Sequence, residues 1–141
     1  MPEVFNYQRK VKIDMKLFQE FGAEAFEIIS EAKGRTATIA FVSDARMRGL
    51  NKTFRGKNST TDVLSFPFAA DEFEMGANTL GDIVISAAQA RKQASENNLD
   101  LEAEIKQLIL HGILHLCGFD HETDKGEMNR RELKLRDKLG I

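Results

Sequence analysis

The chain contains three histidines, and all of them lie within the eleven-residue stretch HGILHLCGFDH, at positions 111, 115 and 121. His111 and His115 are four residues apart in a segment with helical periodicity, so both side chains leave one helix face with Cβ atoms about 5–6 Å apart. Two imidazole nitrogens bound to one tetrahedral zinc ion are about 3.4 Å apart, a separation that this spacing can provide. The pair by itself is equally compatible with two core or surface histidines, so the zinc prediction depends on the third histidine.

His121 can join this pair only if the helix stops before it, because in a continuing helix it would lie about 9 Å further along the axis and about 120° off the face. Gly118 stands where a left-handed residue could end the helix and turn the chain back. We therefore predict one zinc ion per chain on His111, His115 and His121, with the fourth position open as in catalytic sites. Zinc lowers the pKa of water in that position to about 7, which would supply hydroxide at neutral pH.

Three alternatives for this block remain open. Cys117 could close a structural His3Cys site if the helix frays there. The spacing also matches the zinc-peptidase pattern His-Glu-x-x-His-x-x-Gly-x-x-His, but Gly112 replaces its general-base glutamate, which counts against peptide hydrolysis. Asp120 could orient a ligand or assist proton transfer, or it could be only a turn residue.

A basic segment runs from position 46 to position 57 with five cations and no acid, and it continues into the polar loop RGKNSTT (55–61). Such a run can be only a solvated face, but loops at strand ends commonly carry functional groups. A guanidinium can hold a phosphate with two hydrogen bonds and stabilise the charge that grows on it during hydrolysis. Zinc and a phosphate-binding arginine together suggest phosphodiester cleavage. The candidate substrate-binding residues are Arg46, Arg48 and Lys57, beside the candidate catalytic residue Arg55.

The bulk composition fits a single domain spanning residues 1–141, with 42% hydrophobic and 30% charged residues. No apolar run approaches the roughly 20 residues of a membrane span, and the N-terminus lacks the apolar core of a secretory signal. One cysteine cannot form an internal disulfide, so we expect a cytoplasmic protein. The net charge of −2 argues neither for nor against nucleic acid.

Strand and helix patterns interleave along the chain, which predicts a layered α/β or α+β domain of undetermined strand order. Strands are predicted at 4–13, 36–42, 63–68 and 79–86, and Pro67 suggests an edge or an end of the third. Helices are predicted after Asp14, after Ser43 or Asp44, over 87–97 after Ser86, from Asp100 to about 117, and over about 125–139.

Four segments resemble the YbeY endoribonuclease (rRNA maturation factor) family, and they span about Arg46 to Glu132. They are LNKTFRGKNS, TTDVLSFPF, LGDIVIS and HGILHLCGFDHETD. The departures are minor: Phe54 and Phe119 stand where tyrosine is common in the family, and Thr60 stands where proline is common.

The resemblance implies a zincin-like α+β fold, a mixed sheet packed with helices, with the metal on the long helix. It implies a zinc site at His111, His115 and His121, and places the functionally important arginine of the family's Arg-Gly motif on Arg55. The implied activity is single-strand-specific RNA cleavage in maturation of the 3′ end of small-subunit rRNA and in ribosome quality control. Implied partners are the small ribosomal subunit and an assembly GTPase, with no membrane or DNA.

Two other functions stay open from the sequence. The missing general base and the basic segment are also compatible with a ribosome-binding assembly factor whose zinc is mainly structural. A metallopeptidase is compatible with the histidine spacing but not with Gly112. Within the ribonuclease hypothesis, either activated water or the RNA 2′-hydroxyl could attack phosphorus.

Overall fold

A computed structural model describes residues 2–68, 78–120 and 122–141. In these ranges the chain forms four strands and five helices, which confirms the predicted α+β class with a mixed sheet. The strands are β1 (Glu3–Asn6), β2 (Thr36–Val42), β3 (Val63–Pro67) and β4 (Thr79–Ser86). The helices are α1 (Met15–Ile28), α2 (Asp44–Arg55), α3 (Ala87–Glu96), α4 (Leu101–Leu116) and α5 (Glu127–Leu139). Within the described ranges, no helix has the length and apolarity needed to span a bilayer.

The four strands form one sheet in the order β1-β2-β4-β3. Strands β1, β2 and β4 run parallel, and β3 pairs antiparallel with β4. Strand β3 therefore lies at an edge, as Pro67 predicts, because a proline has no N–H to donate to a further strand.

The two faces of the sheet carry different helices. Successive side chains of a strand point to opposite faces, and in β4 Ile83 and Ile85 join the main core with α1 and α4. Val84 points the other way and packs with Leu64 of β3 and Met47 of α2. The helix with the histidines thus lies on one face, and the helix with the basic segment lies on the other.

Four helices begin where their N-caps predict. Each cap side chain accepts a hydrogen bond from the backbone N–H three residues later, which satisfies a donor that the helix itself leaves unpaired. The caps are Asp14 for α1, Ser43 for α2, Ser86 for α3 and Asp100 for α4. Local sequence chemistry is therefore enough to place the start of these helices.

The first strand is shorter than predicted. Strand β1 ends at Asn6 instead of continuing to residue 13, so the prediction from alternation over 7–13 was wrong. The Gln8 side chain accepts from the Val11 N–H at 2.9 Å and donates to the Val11 carbonyl at 2.8 Å. These bonds satisfy the backbone of Val11 as a neighbouring strand would, and the chain turns here.

Helix α2 extends further than its predicted loop boundary. It ends at Arg55, and Gly56 stops it in a left-handed conformation with φ 68°. Arg55, predicted to begin the polar loop, is therefore the last residue of the helix. Its backbone position is fixed by helical hydrogen bonds rather than by the loop.

Helix α4 approaches the sheet closely at Gly112. A Cβ atom at this position would lie 2.9 Å from Cγ2 of Ile83, closer than real Cβ contacts. Ile83 is fully buried, so it has little room to move. Glycine at 112 is therefore a packing requirement.

We predict that Gly112→Ala lowers the free energy of unfolding by about 1–3 kcal/mol because the added methyl overpacks the core. Urea denaturation measures this change. Gly49→Ala is the matched control, since Gly49 is helical with nothing within 4 Å of a Cβ. The control should be stabilised by about 0.5–1 kcal/mol, as alanine is the better helix former. Equal changes in the free energy of unfolding of both variants would show that a methyl group at position 112 does not overpack against Ile83.

Candidate active site

Helix α4 stops directly after the second histidine of the pair. Gly118 has φ 98°, its N–H donates to the carbonyl of His115 at 3.0 Å, and the Phe119 N–H donates to that of Leu114 at 3.1 Å. These two bonds form a Schellman closure, which satisfies the last carbonyls and turns the chain out of the helix. The predicted break at Gly118 is confirmed.

His111 and His115 direct their Nε2 atoms at each other. The two nitrogens are 3.1 Å apart and the ring planes lie at 78°, close to the separation expected for two ligands of one ion. His115 also lies in the last turn of α4, where the helix dipole presents partial negative charge and favours a cation.

Glu132 of α5 contacts the other nitrogen of His111. Its Oε1 is 3.1 Å from Nδ1, and its Oε2 accepts from the Arg136 guanidinium at 3.2 Å. Burial raises the pKa of Glu132, but the hydrogen bond from His111 and the nearby cationic groups outweigh burial and hold it below its usual value. A carboxylate behind Nδ1 is the arrangement that commonly directs the Nε2 of a metal-binding histidine toward its metal.

This arrangement fits zinc, because two Nε2 atoms converge and one imidazole has a carboxylate behind it. His121 lies outside the described residues, so its place in the site stays a prediction. Among the residues that the structure describes, no group of three metal-ligating side chains is assembled. Cys117 caps α4 and packs against the main core, where burial raises the pKa of its thiol to about 11.

A cavity of about 600 Å³ joins the histidine pair to the basic segment. His111 and His115 line one side, while Arg55 and Lys57 line it from the segment that leads into β3. Arg46 and Arg48 are exposed on α2 and lie outside this lining. Their part in binding substrate stays a prediction.

Asp120 also lines the cavity. One of its carboxylate oxygens accepts from the Glu122 N–H at 3.0 Å, which is the geometry of a turn residue. Asp120 thus has a role in the turn. Because it also lines the cavity, a role in proton transfer stays a prediction.

The loop over residues 56–61 is tied to α2 from two directions. The buried amide of Asn51 donates to the carbonyl of Ser59 at 2.9 Å. The Thr60 hydroxyl donates to Asp44, which also accepts from Ser86 at 3.0 Å. A proline at position 60 could not make this bond, so the threonine supplies its own restraint on the loop.

Asp44 is ionised at neutral pH in this network. Burial raises the pKa of Asp44, but hydrogen bonds from Thr60, Ser86 and Gln89, with the charge of Arg48, together hold it below its usual value. The charged acceptor makes each of these hydrogen bonds stronger than one to a neutral group.

Sequence reasoning missed Glu132 and the residues that hold the loop. A signal for Glu132 was present, because it shares the α5 stripe with Met128 and Leu135 at helical spacing, and both of these are buried. A carboxylate on an apolar helix stripe needs a partner, and the candidate partners were the histidines. Asn51 and Asp44 gave no comparable signal, since their partners are distant backbone or hydroxyl groups.

Comparison with known proteins supports the resemblance. The family model described as endoribonuclease YbeY matches residues 3–140. This chain belongs to the YbeY family. The endoribonuclease YbeY of Koribacter versatilis (strain Ellin345) is 48% identical over 109 residues, which cover 77% of this chain and 67% of that protein. The YbeY of Pelotomaculum thermopropionicum is 38% identical over 149 residues, covering 98% and 96%.

A solved structure has a similar fold along nearly the whole chain. The solution structure of a Thermotoga maritima protein superposes with a TM-score of 0.66 at 28% identity, covering 99% of this chain and 89% of that one. The YbeY family is one of endoribonucleases, so RNA is its substrate class.

We predict that Glu132→Gln weakens zinc binding about 10- to 100-fold, because a neutral amide no longer fixes the Nδ1 proton of His111. Competition with a chromophoric chelator measures the affinity, and imidazole ¹⁵N shifts report the tautomer. Asp137→Asn, an exposed change on the same helix, is the control and should bind zinc as the wild type does. An unchanged zinc affinity in Glu132→Gln would show that Glu132 does not contribute to zinc binding.

We predict that Thr60→Val makes the loop open more often, since the isosteric side chain cannot donate to Asp44. A hydrogen bond to a charged group is worth about 1.5–3 kcal/mol, so trypsin should cleave after Lys57 at least about tenfold faster. Ser59→Ala is the control, because the bond at Ser59 uses its backbone carbonyl. Equal cleavage rates in the two variants would show that Thr60 does not restrain the loop.

Proposed function

We propose that this chain is a zinc-dependent, single-strand-specific endoribonuclease that matures the 3′ end of small-subunit rRNA and takes part in ribosome quality control. The observation that carries the proposal is the cavity that joins His111 and His115 to Arg55 and Lys57. Membership of an endoribonuclease family supports the same reaction class. Metal-binding groups and phosphate-binding cations in one cavity are a combination that can catalyse phosphodiester hydrolysis.

In this proposal His111 and His115 hold zinc through Nε2, with His121 as the third ligand. A zinc ion held there would supply Lewis-acid chemistry, by lowering the pKa of a bound water and polarising the phosphoryl oxygens. Glu132 keeps the proton of His111 on Nδ1 and thereby holds its Nε2 ready as a ligand. The wall formed by α4 thus has the metal-binding role.

Arg55 has the phosphate-binding role on the facing wall. Its side chain is exposed and forms no hydrogen bond or ion pair with any residue in the described ranges. Its donors are therefore available for two parallel hydrogen bonds to a phosphate, where they would stabilise charge that develops during cleavage. Lys57 adds a second positive charge to the same wall.

The size of the cavity favours a single strand. A volume of about 600 Å³ is that of a site for a small molecule, which corresponds to about one or two nucleotides. The proposal also includes the small ribosomal subunit and an assembly GTPase as partners, and the cytoplasm as the location.

Peptide hydrolysis is less well supported. The position of the peptidase glutamate is occupied by Gly112, where α4 lies against Ile83. A glutamate there would meet the sheet. A zinc with a mainly structural role has one observation in its favour, since the contact between His111 and Glu132 links α4 to α5.

The proposal predicts that the zinc-loaded protein cuts the single-stranded tail of an RNA that also contains a duplex. His115→Ala should abolish cleavage, and Arg55→Ala should lower the rate about 10²- to 10³-fold with zinc content unchanged. Arg9→Ala, an exposed cation beyond β1, is the control and should keep the wild-type rate. All variants are purified identically, so that contaminating nucleases affect them equally.

Cleavage that is equal in the wild type and His115→Ala would contradict the proposal. RNA binding without cleavage, together with unfolding on zinc removal, would favour an assembly factor with structural zinc. A 2′-deoxy residue at the cut site distinguishes the two nucleophiles within the same assay. Cleavage should persist if water attacks phosphorus, and it should stop if the 2′-hydroxyl attacks.

A further inference from the structure

An exposed aromatic ring stands next to Arg55 in the last turn of α2. Phe54 is 62% exposed, which is a large apolar exposure for a helix whose inner face is buried at Met47 and Asn51. A single exposed phenylalanine needs no explanation by itself. The residues around Phe54, however, indicate a binding role.

The ring is held in place from the side. Phe54 and Phe66 have their centroids 5.2 Å apart and their planes at 71°, an edge-to-face contact. Phe66 lies on the edge strand β3 and packs against the cluster that includes Met47 and Leu64. Phe54 is therefore anchored through one contact while most of its surface stays open to solvent. A ring held in this way loses little conformational freedom on binding.

The charge around Phe54 is positive. From Arg46 to Lys57 the sequence has five cations and no acid, and two of them, Lys52 and Arg55, lie in the same last turns of α2. An open aromatic ring among cations is the combination by which proteins bind single-stranded nucleic acid without reading its sequence. Charge complementarity thus favours a polyanion with aromatic bases over an apolar partner.

The position relative to the cavity also suits one continuous strand. Phe54 and Arg55 are consecutive, so their Cα atoms are about 3.8 Å apart, and Arg55 lines the cavity while Phe54 lies just outside its lining. A strand whose phosphate contacts Arg55 can place a neighbouring base on Phe54.

We propose that Phe54, held by Phe66, is a stacking platform for a base of the single-stranded RNA substrate, adjacent to the scissile phosphate at Arg55. This inference rests on the proposed ribonuclease function and adds a positioning residue to it. Stacking on such a ring is worth about 1–3 kcal/mol per base. It requires no particular base identity.

The absence of tryptophan from the chain gives a direct test. In Phe54→Trp the new side chain is the sole tryptophan, and its fluorescence should be quenched when the zinc-loaded protein is mixed with oligoadenylate. Tyr7→Trp is the matched control, because Tyr7 is 65% exposed but follows β1 at the opposite edge of the sheet. That variant should not be quenched. An oligomer of abasic ribose phosphates should leave both variants unchanged, since it offers charge without a base.

Steady-state cleavage gives the second readout. Phe54→Leu keeps apolar bulk but no ring, and it should raise KM about 5- to 100-fold, as the stacking free energy implies, with kcat unchanged. Phe54→Tyr should restore KM to near the wild-type value. A role of Phe54 in folding alone would instead lower the amount of active enzyme and leave KM the same.

The outcomes separate this inference from the proposed function. If the wild type cuts RNA and Phe54→Leu has the same KM, the platform is wrong and the ribonuclease stands. If no variant cuts RNA, but oligoadenylate quenches Phe54→Trp and the abasic oligomer does not, the platform stands and the catalytic proposal fails. Quenching that rises with protein concentration in the absence of RNA would show that Phe54 contacts a second copy of the chain, which overturns the platform.

Discussion

The approach of α4 to β4 fixes the rotation of the long helix, and the other parts of the site are placed relative to it. At Gly112 the helix lies so close to Ile83 that no side chain fits between them. Since residue 112 faces the sheet, the histidines at 111 and 115 turn away from the sheet centre toward its β3 edge. A different rotation would bury one imidazole in the core or direct both away from Arg55. Gly112, which stands in place of the peptidase glutamate, is thus also the residue that orients the two histidines.

The candidate site is built from both faces of one sheet. Helix α4 brings its histidines from one face, and α2 brings Arg55 from the other, so they can meet only around the outer strand β3. The loop between α2 and β3 makes this crossing, and the bonds from Asn51 to Ser59 and from Thr60 to Asp44 hold it in place. The geometry between the histidine pair and Arg55 therefore depends on a short polar loop.

Local chemistry was enough to predict part of this arrangement. The caps of four helices, the break at Gly118 and the edge position of β3 each depend on residues within a few positions of one another, and each was confirmed. The length of β1 was not predictable from alternation, because the Gln8 side chain replaces a strand partner for Val11. Glu132 lies 21 residues from His111, and only the packing of α5 on α4 brings them together. The assignment of zinc to His111, His115 and His121 stays a prediction.

The different sequence separations within the site have a consequence for the order in which it forms during folding. His111 and His115 come together as soon as one helical turn forms, and the Gly118 closure adds contacts that are equally local, so this unit needs little loop-closure entropy. Glu132 and Arg55 arrive only with long-range packing. A chain that has formed α4 but not yet its tertiary contacts therefore already presents two converging imidazoles. In the proposed zinc site, metal capture would begin at that stage and the affinity would rise as α5 docks, so that uptake of the ion would favour the rest of the fold.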